Sequence, residues 1–192
     1  MEALISQLPI HEPVSKARYV RVGDAYVCAP AKNGSTSLRC SMFPELANFR
    51  GSITAEFQRL CEQTGVGPVT AEEAVATGLP VYLAVRHPVE RFRSFWQDMQ
   101  RAAGRLAALS WVSVETLLRV IAARPFGDPH WVPQTWYWHP GVEPVPYTEL
   151  LQRVGKIPLH MNTSRAQSVE MPVEQIIALY PQDLSLWEAA NG

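Results

Sequence analysis

Two short stretches hold the residues most able to do chemistry. The first is Pro30-Ala31-Lys32-Asn33-Gly34-Ser35-Thr36-Ser37. Gly34 allows a turn in which backbone N–H groups face inward. Lys32 adds a full positive charge, and Ser35, Thr36 and Ser37 add hydroxyl donors. A helix starting at this point contributes unpaired N–H groups and the positive end of its dipole. Together these groups make a cradle for a tetrahedral anion, with Asn33 inside the same loop. An ordinary Ser/Thr-capped helix after a glycine turn would use the same residues. The second stretch holds Arg86 and Ser94. A guanidinium fork suits bidentate contact with a phosphate, and a serine hydroxyl can donate to the same oxygens. The competing use of Arg86 is a local ion pair with Glu90.

The elements around these stretches follow from pattern. Tyr19–Val22 and Ala25–Ala29 read as two strands around Gly23-Asp24. Leu38, Met42 and Leu46 recur at helical spacing and predict a helix after the Lys32 loop. Thr70-Ala71-Glu72-Glu73 is a capping box that opens a helix ending at Gly78. Val81–Val85 is nearly all apolar, as a strand covered on both faces should be. Pro88 suits the first turn of a helix whose apolar stripe is Phe92, Phe95, Trp96, Met99 and Ala103. Arg91, Ser94, Asp98 and Arg101 fall on another face. A helix runs from Ser113 to about Arg124, and residues 125–146 read as a long Pro- and Trp-rich loop of the kind that is usually functional. Tyr147–Val154 reads as helical, Ile157–Met161 as a strand, and Pro172–Tyr180 and Asp183–Ala190 as closing helices. The β–α–β–α order predicts an α/β sandwich with a mostly parallel sheet, and both candidate anion loops then follow strand ends.

Composition sets the outer limits. The 192 residues suffice for one domain with a real core. Apolar residues at 47% and charged residues at 18% exclude intrinsic disorder. The 17 Lys and Arg against 18 Asp and Glu argue against a general nucleic-acid binder, which needs a basic excess. Cys28, Cys40 and Cys61 have no metal-ligand spacing and read as reduced, buried thiols. Neither a signal sequence nor a run of about 18 apolar residues is visible, so the expectation is a soluble, cytoplasmic protein without a membrane span. The phosphate loop of ATP-using enzymes places its Lys after the second Gly, and a strand-end acid holds the metal. Here Lys32 precedes Gly34 and the strand ends in Arg86, a pattern that points to an anion site without a metal.

The two stretches resemble the nucleotide-binding signatures of the sulfotransferase superfamily, and most closely the carbohydrate (family 2) sulfotransferases. PAKNGSTSL (30–38) is similar to the loop that binds a 5′-phosphosulfate, and VRHPVERFRSFW (85–96) to the segment that binds a 3′-phosphate. HWVPQ (130–134), HMNTS (160–164) and IIALYPQDLSLW (176–187) resemble later motifs of the carbohydrate-type enzymes. The resemblance spans roughly residues 26–187, with gaps, in the family's order. It implies a P-loop-like three-layer sandwich and one sulfotransferase-like domain over residues 1–192, with 1–18 a flexible segment. It implies 3′-phosphoadenosine 5′-phosphosulfate (PAPS) as co-substrate, no metal, and in-line transfer of a sulfuryl group to a small-molecule or glycan acceptor. By matching position, Lys32, Asn33, Gly34, Ser35, Thr36 and Ser37 would hold the 5′-phosphosulfate, and Arg86 and Ser94 the 3′-phosphate. Lys32 would also be catalytic.

Departures accompany the resemblance. Position 87 is His, where the family more often has an acid or amide. No motif places the base that activates the acceptor. His130 is the first choice, because a neutral imidazole suits the role near neutral pH. His139 and Glu45 are the reserves, and a structural hydrogen bond is the other use of His130. Trp131, Trp136, Tyr137 and Trp138 suit either stacking on an acceptor or capping the core. Asn162, Ser164 and Arg165 are further candidates for nucleotide contact. The alternatives to a sulfotransferase are a weakly active or inactive nucleotide-binding relative and an ATP-using phosphotransferase.

Overall fold

The apolar strand expected at residues 81–85 organises the molecule. The computed structural model describes residue 16 and residues 18–101, 112–155 and 170–192. Val20–Val22 (β1) and Ala25–Cys28 (β2) pair antiparallel through the Gly23 turn. Val81–Val85 (β3) lies parallel to β2, and Glu143–Pro146 (β4) lies parallel to β3 on its far side. The four-stranded sheet has the order β1-β2-β3-β4, so the protein is mixed α/β with an open, mostly parallel sheet.

Side chains pack on both sheet faces. Cys28, Val81, Leu83 and Val85 join Ala71, Ala74, Val132 and Tyr137 on one side. Val20, Val22, Val27 and Ala84 join Leu38, Leu150 and Leu151 on the other. The period-2 alternation of a strand divides these residues between the two clusters. A third cluster joins Phe92, Phe95 and Met99 to Leu117, Leu118, Ile121, Trp131 and Ile176.

The helices are Ser35–Met42 (α1), Ile53–Thr64 (α2), Ala71–Ala76 (α3), Pro88–Arg101 (α4), Val114–Ala123 (α5), Leu150–Arg153 (α6), Val173–Leu179 (α7) and Pro181–Asn191 (α8). The capping box at Thr70 and Glu73 forms in both directions. Ser113 caps α5 by accepting from the Thr116 N–H. Each such cap contributes about 1 kcal/mol.

Several expectations change. The helix after the Lys32 loop stops at Met42, and Pro44–Asn48 forms a 3₁₀ turn that carries Leu46. Proline cannot donate the hydrogen bond that would have continued the helix. Helix α2 was not anticipated, although the Ser52 side chain caps its start and Gly65 ends it. Strand β4 lies inside the expected irregular loop. Its sequence EPVP holds two prolines, which suits a strand at the sheet edge. The expected helix over 147–154 shortens to α6. The strand at 157–161, the HMNTS motif with Asn162 and Ser164, Arg165, Ala103 and the Arg101 side chain lie outside the described residues. Among the described residues no helix is long and apolar enough to cross a membrane.

Candidate functional site

Both candidate anion loops follow the carboxyl ends of neighbouring parallel strands, β2 and β3. The first loop is strained. Lys32 has φ of 71°, the only positive value at a non-glycine among the described residues, and Gly34 has φ of 81°. A lysine in the left-handed region costs roughly 1–2 kcal/mol, and such strain persists where the surroundings impose it. Gly34 is the N-cap of α1, and no side chain caps that helix end. The Ser35, Thr36 and Ser37 side chains stand half-buried around it.

Asn33 plays a different part from the expected one. It is fully buried, its N–H donates to Pro30 O at 3.0 Å, and its Nδ2 donates to Ala84 O at 2.9 Å and to Gln134 Oε1. Its donors are spent inside the protein, so Asn33 shapes the loop.

The second loop lies against the first. Arg86 Nη1 donates to the Lys32 carbonyl at 3.1 Å, across 54 residues of sequence. Its guanidinium stacks 4.8 Å from the Tyr147 ring, and Tyr147 is also the nearest neighbour that a side chain at Gly34 would meet. Arg86 Nε is buried without a hydrogen-bond partner; the Glu90 carboxylate is 3.6 Å from it. The local pairing with Glu90 is therefore present but long. Lys32 Nζ pairs with Asp98 at 2.6 Å. Glu90 and Asp98 are both about half exposed and both belong to α4. Ser94 lies between them on that helix, half-buried.

Arg91 couples the loops from beneath. It is buried, and it donates from Nε to Ala31 O at 3.2 Å and from Nη1 to Val132 O at 2.8 Å. Asp183, also buried, sits 3.9 Å from Arg91 Nη1 and accepts from Gln134 N, Thr135 N and Thr135 Oγ1 at 2.8, 2.9 and 3.1 Å. Arg91 thus belongs to the interior and not to an outer polar face.

No family model matches the chain, and no curated protein and no solved structure matches it.

The three candidate bases separate by position. His130 stacks on Phe95 of α4, and its Nδ1 lies 2.5 Å from the carboxylate of buried Asp128. With Nδ1–H donating to Asp128, Nε2 keeps the lone pair that a base needs. A small cleft beside His130 is lined by Pro88, Arg91, Phe92, Tyr180 and Asp183. The Tyr180 hydroxyl donates to Trp131 O at 2.8 Å, and burial pushes its pKa up, so it stays a proton donor. His139 precedes β4 and so lies toward the amino ends of the parallel strands, opposite to Lys32 and Arg86. Glu45 is exposed in the 3₁₀ turn beyond the far end of α1, about 12 Å from that helix's first turn by its length.

The aromatic residues of the long loop divide likewise. Trp131 and Tyr137 are core groups, and Trp136 packs against the core. Trp138 is exposed, but its Nε1 donates to Val142 O just before β4, away from the candidate anion loops. Sequence reasoning gave no role to Tyr147, Gln134, Asp98 or Asp183. The quoted motifs HWVPQ and IIALYPQDLSLW contained Gln134 and Asp183, which are the advance signals among them.

Proposed function

We propose that this chain is a PAPS-dependent sulfotransferase that moves a sulfuryl group to a hydroxyl or amine acceptor, with carbohydrate as the acceptor class. The observation that carries this reading is the contact of the Lys32 turn with Arg86. Two cations and an uncapped helix end converge at neighbouring strand ends, where open α/β sheets bind ligands. The fold reading that goes with it is a P-loop-like sandwich, supported by side-chain packing on both sheet faces.

Each group has a role in this scheme. The α1 amino end, Lys32 and the hydroxyls of Ser35, Thr36 and Ser37 hold the 5′-phosphosulfate. Arg86 and Ser94 hold the 3′-phosphate, and that remote binding energy positions the donor. The bond between sulfur and the bridging oxygen breaks as a new bond forms from sulfur to the acceptor oxygen. Negative charge grows on the bridging oxygen, where Lys32 and loop N–H groups stabilise it. The acceptor's proton passes to His130 Nε2, and adenosine 3′,5′-bisphosphate leaves. The buried Asp128 carboxylate stabilises the imidazolium that forms.

Titration with adenosine 3′,5′-bisphosphate, together with transfer assays over a panel of saccharides, tests the reading. The expected results are saturable binding in the micromolar range, binding weakened roughly 10- to 100-fold in Arg86→Ala, and transfer reduced at least about 100-fold in Lys32→Ala with a smaller loss of binding. Lack of saturable binding, or equal binding by both variants, overturns it.

A further inference from the structure

The carboxamide of Gln134 sits where the two anion loops meet. It is fully buried. Its Oε1 accepts from the Arg86 N–H at 2.8 Å and from Asn33 Nδ2. Its Nε2 donates to the Arg86 carbonyl at 2.9 Å. One side chain therefore satisfies both backbone groups of Arg86, as a neighbouring strand would, one residue past the end of β3. The same oxygen holds the loop that follows β2. Gln134 is itself fixed from behind, because its backbone N–H donates to Asp183 at 2.8 Å.

A bisphosphate gripped at both ends gains affinity only if the two grips are at the right separation. Arg86 Nη1 reaches the Lys32 carbonyl from a long side chain, whereas the carboxamide of Gln134, itself fully buried, binds the Arg86 backbone directly and meets Asn33 in the interior. Hydrogen bonds among groups in a low-dielectric interior are strong and rigidify what they join.

We propose that Gln134 is a positioning residue that sets the spacing between the Lys32 and Arg86 grips, so that the two ends of one nucleotide bind as a single event. This rests on the proposed nucleotide site. It requires that Gln134 touch no ligand and act only through Asn33 and the Arg86 backbone.

The test compares adenosine 3′,5′-bisphosphate, adenosine 5′-phosphate and adenosine 3′-phosphate, each titrated calorimetrically into wild type and Gln134→Met. Methionine keeps the volume and removes the three side-chain bonds to the loops. The expected result is a loss of roughly 30- to 100-fold for the bisphosphate, with each monophosphate changed by no more than about threefold. If Gln134→Met does not fold, Gln134→Asn keeps a neutral carboxamide one methylene short of its partners, and should show a smaller loss confined to the bisphosphate. Equal losses for all three ligands, or none, overturn the spacing role while leaving the nucleotide site intact. If wild type binds none of the three, the nucleotide site itself falls and the role of Gln134 with it.

Discussion

The two strand–loop–helix units of this protein finish their helices in opposite ways. After β2, the chain enters α1 through a strained turn, and no side chain caps the helix. After β3, the chain enters α4 through His87-Pro88. The His87 carbonyl accepts from the Arg91 N–H, and His87 Nδ1 accepts from the Val89 N–H at 3.3 Å. The first unit leaves its helix start without a side-chain acceptor; the second gives one of its first N–H groups an acceptor in His87 and carries a cationic side chain, Arg86, at the strand end. The capping role suits the histidine at position 87. Acids and amides are preferred helix caps because they present an acceptor, and a neutral imidazole presents one too.

The units are held together by the Arg91–Asp183 knot, and breaking it should have the largest effect. Asp183→Ala leaves a buried guanidinium without its counter-charge and orphans the N–H groups of Gln134 and Thr135. Losing one partner of such a pair costs about 3–5 kcal/mol. For a chain of this length, that corresponds to a fall in Tm of roughly 10 °C, measurable by calorimetry or by the shift of a urea midpoint. A fall under about 2 °C would mean that the units are fastened elsewhere.

The contrast in capping is sharpened by a pair of milder variants. His87→Ala should cost about 0.5–1 kcal/mol, the low end for a cap because the 3.3 Å bond is long, and His87→Asp should recover it. Ser35→Ala, at the uncapped end of α1, should change stability by less than about 0.5 kcal/mol and weaken nucleotide binding instead. Urea titration of the three variants, each paired with adenosine 3′,5′-bisphosphate binding, checks this. A stability loss in Ser35→Ala as large as that in His87→Ala would erase the distinction between the units.

Much of this was legible in advance, and the gaps have physical causes. The hairpin at Gly23, the capping box at Thr70, the strand at 81–85 and the start at Pro88 are local signals, and all four form. Strand β4 carries prolines at alternate positions and borrows its regularity from β3, so no pattern of its own announces it. Helix α2 had usable signals in Ser52, in Gly65 and in the Ile53, Phe57, Leu60, Cys61 stripe, but most of its surface is exposed and its apolar stripe is narrow. In the site, Lys32, Gly34 and Arg86 stood out because charge and turn chemistry are readable within a few residues. Gln134, Tyr147, Asp98 and Asp183 act across 48 or more residues of sequence, where no spacing rule reaches.

Asp98 is the residue of that group whose effect should be smallest, and it bears directly on the open end of the first unit. Its carboxylate holds Lys32 Nζ at 2.6 Å from α4, so any anion in the Lys32 turn competes with it. Asp98 is half exposed, and water and salt screen such a pair to between about 0 and 1 kcal/mol. Asp98→Asn should therefore tighten binding of adenosine 3′,5′-bisphosphate by up to about fivefold at low salt, with the gain shrinking as salt rises. Adenosine 3′-phosphate, which lacks the 5′ group that Lys32 would meet, should show no gain. Weaker bisphosphate binding in Asp98→Asn would mean that the carboxylate orients Lys32 toward its ligand instead of competing for it, and an equal gain for both nucleotides would place the effect in the general field of α4.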